Sequence, residues 1–320
     1  MFRNAVFATL LLLGSSVEAQ TYPTKPIRWV VPYTGGGITD VVTRIVTQKM
    51  SGPLGQPIVV DNKPGANSIL GSDLAAKAPP DGYTMVTVIA GYAANVTLYS
   101  GKLPFDPLKD LVPVSLAAIA PLVMTVNEGL PARDVKELIA YAKANPGKLN
   151  FGSSGIGAAA HLTCELFKQT VGIDMVHIPF KGTAPATQAV LANDIQILVD
   201  TPLSLMPQVR SGKLRALGMF APTRLPAYAD VPTLAEAGGP ALESSTWVLF
   251  MAPGGTPKEI VNRLAAETAK ALRAPDIKER LNQTGIEPVG NTPEQAKQFL
   301  DAEIAKWAKV INTAGVKAEQ

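Results

Sequence analysis

The sequence predicts an α/β protein of two lobes, each a mainly parallel sheet flanked by helices. Three observations predict it. Short β-rich runs alternate with stretches of helical length over most of the chain, a pattern that favours parallel strands covered by helices on both faces. The alternation pauses at Pro104, Pro107, Pro113 and Pro121 and then restarts. From Lys258 onward the pattern is helical, with little strand signal between the helices.

Taken in order, the chain opens with Arg3, an apolar run from Ala5 to Leu13, then Gly14, Ser15, Ser16 and Val17-Glu18-Ala19. Weak positive charge, a short apolar core and a small-x-small site describe a secretory signal peptide over residues 1–19, cleaved near Ala19. The apolar run is about ten residues, against roughly twenty for a membrane-spanning helix. The mature chain is therefore expected in the periplasm. Strands are expected at Ile27 to Tyr33, Pro57 to Asp61 and Tyr83 to Ile89, with helices at Thr39 to Met50 and Ser68 to Ala78. After the prolines come strands at Leu122 to Val126, Met175 to Ile178, Ile195 to Val199, Leu214 to Phe220 and Val248 to Met251. Helices at Val135 to Ala144, Ala158 to Val171 and Ala184 to Leu191 separate them. The final helices, Lys258 to Leu272, Asp276 to Gln283 and Glu294 to Ile311, should pack on an existing lobe. The expected division is residues 20–122 plus 247–320 for the first lobe and 123–246 for the second, joined by two crossing segments that act as a hinge.

Composition narrows the function. With 47% hydrophobic and 17% charged residues the chain is not disordered. The net charge of +3 is too small and too dispersed for a nucleic-acid partner. Cys164 is the single cysteine, which excludes an intramolecular disulfide and suggests a buried thiol.

Two glycine-rich turns carry the site argument. In Val30-Val31-Pro32-Tyr33-Thr34-Gly35-Gly36-Gly37-Ile38-Thr39-Asp40 a strand feeds glycines and then a helix. Glycine lets a ligand approach the backbone, and exposed amides at a helix start attract an anion. Thr39 or Asp40 can cap that helix. The turn is neither a phosphate loop nor a dinucleotide fingerprint, since Gly-Lys-Ser/Thr and Gly-x-Gly-x-x-Gly spacings are missing. A second such turn, Asn150-Phe151-Gly152-Ser153-Ser154-Gly155-Ile156-Gly157-Ala158-Ala159-Ala160-His161, lies in the other half. Facing each other across a cleft, the two could hold both ends of a dianion. Ligands of open α/β sheets bind outside the carboxyl ends of the strands, and domain interfaces favour such sites.

An enzyme would need more. His161 and His177 are the two histidines, on different expected elements, and His-Glu-x-x-His, Gly-x-Ser-x-Gly and Ser-x-x-Lys do not occur. No metal or cofactor is expected. A hydrolase using Ser154 and His161, with Asp40 completing a triad on closure, is the alternative; a ligand-sensing receptor for a signalling partner is another.

Tyr22-Pro23-Thr24-Lys25-Pro26-Ile27-Arg28, Gly36-Gly37-x-Thr39-Asp40, Asp61-Asn62-Lys63-Pro64-Gly65-Ala66, Pro80-Asp81-Gly82-Tyr83-Thr84, Pro146-Gly147-Lys148-Leu149-Asn150, His177-Ile178-Pro179-Phe180-Lys181-Gly182, Gly212-Lys213-Leu214-Arg215-Ala216 and Asp230-Val231-Pro232-Thr233 follow one another along the mature chain. In these motifs the chain resembles the Bug family of extracytoplasmic receptors of tripartite tricarboxylate transporters. The resemblance implies a Venus-flytrap fold of the periplasmic-binding-protein kind, a monomer, and a small organic carboxylate ligand ranging from citrate and dicarboxylates to acidic amino acids and aromatic acids such as nicotinate or terephthalate. It implies a membrane partner, the other components of the transporter. Carried onto this sequence, one grip on the ligand would be Tyr33, Thr34, Gly36, Gly37, Thr39 and Asp40. The other would be Ser153, Ser154, Gly155, Gly157 and Ala158, with His161 one turn deeper. Ala90 to Tyr92, Lys181 to Thr183 and Asp200-Thr201 would line the cleft at strand ends. Gly35 stands where many members carry proline. Asp40, an acid beside a bound anion, is expected to cap the helix or orient water.

Overall fold

The computed structural model describes residues 22–318; the signal peptide expected at 1–19 lies outside the described residues. The first lobe begins with β1 (Ile27–Val31), α1 (Ile38–Leu54), β2 (Ile58–Asn62), α2 (Ile69–Ala76), β3 (Thr84–Val88), α3 (Ala90–Leu98) and β4 (Leu111–Pro121). The second contains β5 (Val123–Asn127), α4 (Val135–Ala144), β6 (Asn150–Ser153), α5 (Ala159–Val171), β7 (Val176–Pro179), α6 (Thr183–Ala192), β8 (Ile197–Asp200), α7 (Pro202–Arg210) and β9 (Leu214–Met219). The chain then returns through β10 (Ser245–Pro253), α8 (Lys258–Arg273), α9 (Pro275–Asn282), β11 (Glu287–Pro288) and α10 (Pro293–Ala314). Six strands form one sheet in the order β11-β4-β10-β3-β1-β2, and five form the other in the order β7-β6-β8-β5-β9.

The two-lobed α/β architecture is as the sequence predicts, but the sheets are mixed rather than mainly parallel. The strands that feed the glycine turns do run parallel, β1 with β2 and β3, and β6 with β7 and β8. Antiparallel pairing enters with the crossing segments. β10 arrives from the far lobe and runs antiparallel to β3 and β4, while β5 runs antiparallel to β8 and β9. At the crossing, the Leu122 amide donates to the Ser244 carbonyl (3.1 Å) and the Phe220 amide to the Leu122 carbonyl (2.8 Å).

β4 escapes the sequence reading because its prolines resemble a linker. Its pairing with β10 slips between Phe250 and Met251, leaving Pro113 opposite Met251 at an irregular step, where a missing amide is tolerated. The helix expected at Thr39 to Met50 continues through Pro53 to Leu54 and stops at left-handed Gly55, φ 70°. It buries Ile38, Val42, Ile45, Val46 and Met50 along one face, the spacing of an amphipathic helix. Two short helices, α3 and α7, also escape: both are rich in small or β-branched residues or proline, with weak apolar periodicity.

The C-terminal helices pack on the first lobe, and α10 also reaches α5 of the second. α10 starts with a capping box of Thr292 and Gln295. It is fixed by Glu303, 8% exposed, whose carboxylate accepts the indole N–H groups of Trp247 (2.8 Å) and Trp307 (2.9 Å) and is neutralised by Lys306 at 2.8 Å. Three donors satisfy a buried charge that would otherwise be costly. Among the described residues, no helix is long and apolar enough to cross a membrane.

Candidate ligand-binding site

β1 and β6 deliver the two glycine turns to the same place. Between the lobes lies a cavity of about 940 Å³, at the upper end of the range for small-molecule sites. From the first lobe its wall includes Tyr33, Thr34, Gly35, Gly36, Gly37 and Thr39; from the second it includes Ser154, Gly155, Ala158 and the Pro179 to Thr183 segment. Lys181 and Asp200 are the charged side chains among the lining residues.

α1 starts without a side-chain cap. Its first free amides, at the mouth of the turn, are available to an anion, where the helix dipole adds to their attraction. Asp40 neither caps the helix in the usual way nor lines the cavity. It is 6% exposed and reaches back to accept the Gly36 amide (3.1 Å), while its other oxygen accepts from Arg44 Nε (2.9 Å) and Asn62 Nδ2 (3.0 Å). Asn62 in turn donates to the Tyr33 carbonyl at 3.1 Å. The acid thus shapes the turn from behind, and Arg44 neutralises it. Thr39 falls inside the helix, where its carbonyl accepts from Thr43, and does not act as a cap.

Five more of the expected residues also fall behind the cavity wall. Ala90 is fully buried at the start of α3, between the lining residues Ile89 and Gly91. Thr201 heads α7 and spends its amide on Asp200 Oδ1 (2.6 Å). Ser153 is fully buried; its hydroxyl bonds the Gly155 carbonyl (2.9 Å) and lies 2.7 Å from His177 Nε2. Gly157, at φ 79°, packs its backbone on α3 and donates its amide to His161 Nδ1 (3.1 Å). His161 stacks on His177, ring centroids 3.7 Å apart and planes 9° apart, and Phe151 lies beside the pair, its ring centroid 4.9 Å from that of His177 and 6.2 Å from that of His161. Desolvation lowers both imidazoles, further depressed by Lys168 and, for His161, by His177: His161 to about 3 and His177 to about 4. The pair is a neutral prop beneath the second turn. The Ser154, His161, Asp40 triad does not form, since His161 bonds Gly157 and Asp40 is engaged by Arg44 and Asn62.

Asp200 is the lone acid at the wall. Desolvation raises its carboxyl pKa, and hydrogen bonds from the Thr201 amide and from Thr183 Oγ1 (2.8 Å) oppose the rise. Tyr33 lines the cavity, but its hydroxyl is buried near Ser68 and the Ile89 backbone without a well-formed hydrogen bond. Burial raises that phenol's pKa. Sequence reasoning missed Asn67, Ser68, Thr187, Gln188 and Ser204, all on the wall. An Asn-Ser pair after Pro64-Gly65-Ala66 was the available signal, because asparagine tolerates left-handed turns. No cluster of three or more metal-ligating side chains occurs among the described residues.

The model of the tripartite tricarboxylate transporter family receptor matches residues 42–316. The chain belongs to this receptor family. A relative from Pseudomonas sp. strain P51, called UPF0065 protein in the tcbD-tcbE intergenic region, is 39% identical over 97% of this chain and 94% of its own length. Among solved structures, R. palustris Rpa4515 with adipate superposes with a TM-score of 0.88 at 35% identity, covering 92% of this chain and 99% of that one. MatC from Rhodopseudomonas palustris with bound malate gives 0.83 at 34% identity, covering 91% and 100%. The receptor therefore shares its fold and family with proteins captured around small dicarboxylates, and the family is one of solute-binding receptors rather than enzymes.

Proposed function

We propose that the receptor works in the periplasm as a monomer, without a cofactor and without chemistry, capturing a small organic carboxylate by hinge closure and handing it to the membrane components of a tripartite tricarboxylate transporter. The observation that carries this reading is the interlobe cavity walled by both glycine turns, with the uncapped start of α1 at one side. A ligand touching both lobes shifts the population from open to closed by its differential affinity for the closed form. Micromolar binding corresponds to about 8 kcal/mol, and hydrogen bonds to a charged group contribute roughly 1.5 to 3 kcal/mol each. Several amides and hydroxyls therefore suffice without an arginine in either turn, even after ordering costs. Adipate and malate in the relatives support a linear dicarboxylate; an aromatic residue among those lining the cavity, Tyr33, keeps an aromatic one such as terephthalate in the set.

The test is a thermal-shift screen of ligand-stripped protein against citrate, C4 to C6 dicarboxylates, acidic amino acids, nicotinate, benzoate and terephthalate. A ligand that binds only the native state raises the midpoint by mass action. A midpoint rise for a dicarboxylate but not for its monocarboxylate analogue is expected; no shift with any acid overturns the carboxylate reading. For the acid that shifts most, Ser154→Ala removes a hydroxyl from the wall and is expected to raise Kd roughly tenfold, the value of one charge-assisted hydrogen bond. Gly36→Val places a β-branched residue at φ 87°, where an L-residue is strained, and is expected to raise Kd at least as much. Isothermal titration checks both; unchanged affinity in both variants removes the two-turn site.

A further inference from the structure

The segment between β2 and α2 holds three consecutive non-glycine residues in the left-handed region: Ala66 at φ 45°, Asn67 at 47° and Ser68 at 74°. Each is unfavourable for an L-residue, and such strain persists only where surrounding contacts fix it, commonly at ligand clamps. Two of those contacts lie within the first lobe. Asn67 Nδ2 donates to Asn95 Oδ1 (2.8 Å), and Asn95 Nδ2 returns a bond to the Asn67 carbonyl (2.8 Å). The third crosses the cleft: Asn67 Nδ2 also donates to the carbonyl of Ile156, in the second glycine turn, at 3.0 Å.

The facing surface is shaped to receive it. A side chain at Gly157 would place its Cβ 2.5 Å from Leu98 Cδ1, 3.3 Å from Asn67 Nδ2 and 3.5 Å from Ala94 Cβ. With hydrogen in that place, the second turn lies flat against α3 and brings the Ile156 carbonyl within reach of Asn67. Asn95 is 3% exposed, so its grip on Asn67 is sheltered from water. Asn67 itself borders the cavity.

We propose that Asn67 is the latch of the closed state, a positioning residue whose amide holds the Ile156 carbonyl and sets how long a trapped ligand stays. The proposal rests on the hinge-closure reading of the cavity. Its strained turn aims the amide across the cleft before closure, so the bond forms without further ordering of the side chain. A bond present only in the closed state slows opening and leaves encounter with ligand untouched, so it acts on the dissociation rate.

Two variants test it. Asn67→Gly removes the amide and relaxes the left-handed backbone. Asn67→Asp keeps the shape and lets Asn95 turn its own amide toward the new carboxylate, but sets an acceptor against the Ile156 carbonyl. Hydrogen exchange of residues 154–158 in acid-free protein reads the latch without any ligand, and stopped-flow dissociation of adipate, malate and terephthalate reads it with one. In both variants exchange of that segment and ligand dissociation are expected to rise roughly threefold to tenfold, the worth of one net hydrogen bond. Association rates are expected to stay within about twofold of the native value, as expected for a bond formed after encounter. Unchanged exchange in both variants overturns the latch whether or not any acid binds. Faster exchange in both, with no acid binding the native protein, supports the latch and instead overturns the carboxylate reading.

Discussion

Asp40→Ala is expected to lower the thermal midpoint by about 3 to 8 °C and to weaken ligand binding tenfold or more. Asp40 is the point where three parts of the first lobe meet. Its carboxylate holds the Gly36 amide of the turn, Arg44 one helical turn along α1, and Asn62 at the end of β2. Truncation leaves Arg44 with its bond to Asn62 Oδ1, and takes the carboxylate acceptor from Arg44 Nε, from Asn62 Nδ2 and from the Gly36 amide. Loss of one partner from such a network costs about 1 to 3 kcal/mol. The larger consequence is local: Gly35, Gly36 and Gly37 resist folding into any one shape, and Asp40 is the side chain that selects one for them. Asp40→Asn separates charge from shape. It retains one oxygen acceptor and is expected to recover part of the stability while disturbing the Arg44 pair. Calorimetric titration alongside differential scanning fluorimetry checks this. A variant that binds normally with only a lowered midpoint would leave Asp40 a stability role and no part in shaping the turn.

This division of labour explains what was legible in the sequence. Alternating short strands and helices located most elements to within a few residues, because β1, β3, α1 and α5 carry dense apolar patterns. β4 was not legible, since Pro113 reads as a break unless the irregular step opposite Met251 is known. The turns were legible as turns, because glycine runs between a strand and a helix announce a close approach. What a one-dimensional pattern does not show is which side of a turn a side chain occupies. Asp40, Ser153, Gly157 and His161 sit in the right motifs but face the protein, shaping the wall rather than forming it. Ser154 and Gly155, one or two positions from Ser153, face the cavity instead. Asn67 was illegible for the complementary reason: its partner, the Ile156 carbonyl, is distant in sequence and has no side-chain signature.

The second large effect concerns acid. The native state should lose roughly 2 to 4 kcal/mol between pH 7 and pH 5 through His161 and His177. Nδ1 of His161 accepts the Gly157 amide, so the neutral ring is the one that fits; a proton there would face another N–H. The stacked partner at 3.7 Å and nearby Lys168 make a second positive charge worse. Folded values of about 3 and about 4 lie below the ordinary 6.5. As pH falls through about 6.5 the unfolded chain binds protons that the folded chain refuses, so stability declines from there and levels only near the folded values. The window is diagnostic. The acids whose pKa is lowered, Asp61, Asp106, Glu236 and Asp276, lose their contribution only as pH falls below the ordinary carboxylate range. Asp200, whose pKa is raised, acts in the opposite sense. Urea titrations at pH 7, 6 and 5 read the pair together with any opposing contribution of Asp200, and the double histidine variant separates the two. His161→Gln combined with His177→Gln should flatten that slope, whatever it does to stability at pH 7. Because the folded pair stays neutral until near pH 4, ligand dissociation from the native protein should not change through it over the same interval. A native protein equally stable at pH 7 and pH 5 would mean that the stack accepts its proton without strain, and the prop beneath Gly157 would have to be sought in Ser153 and Phe151 alone.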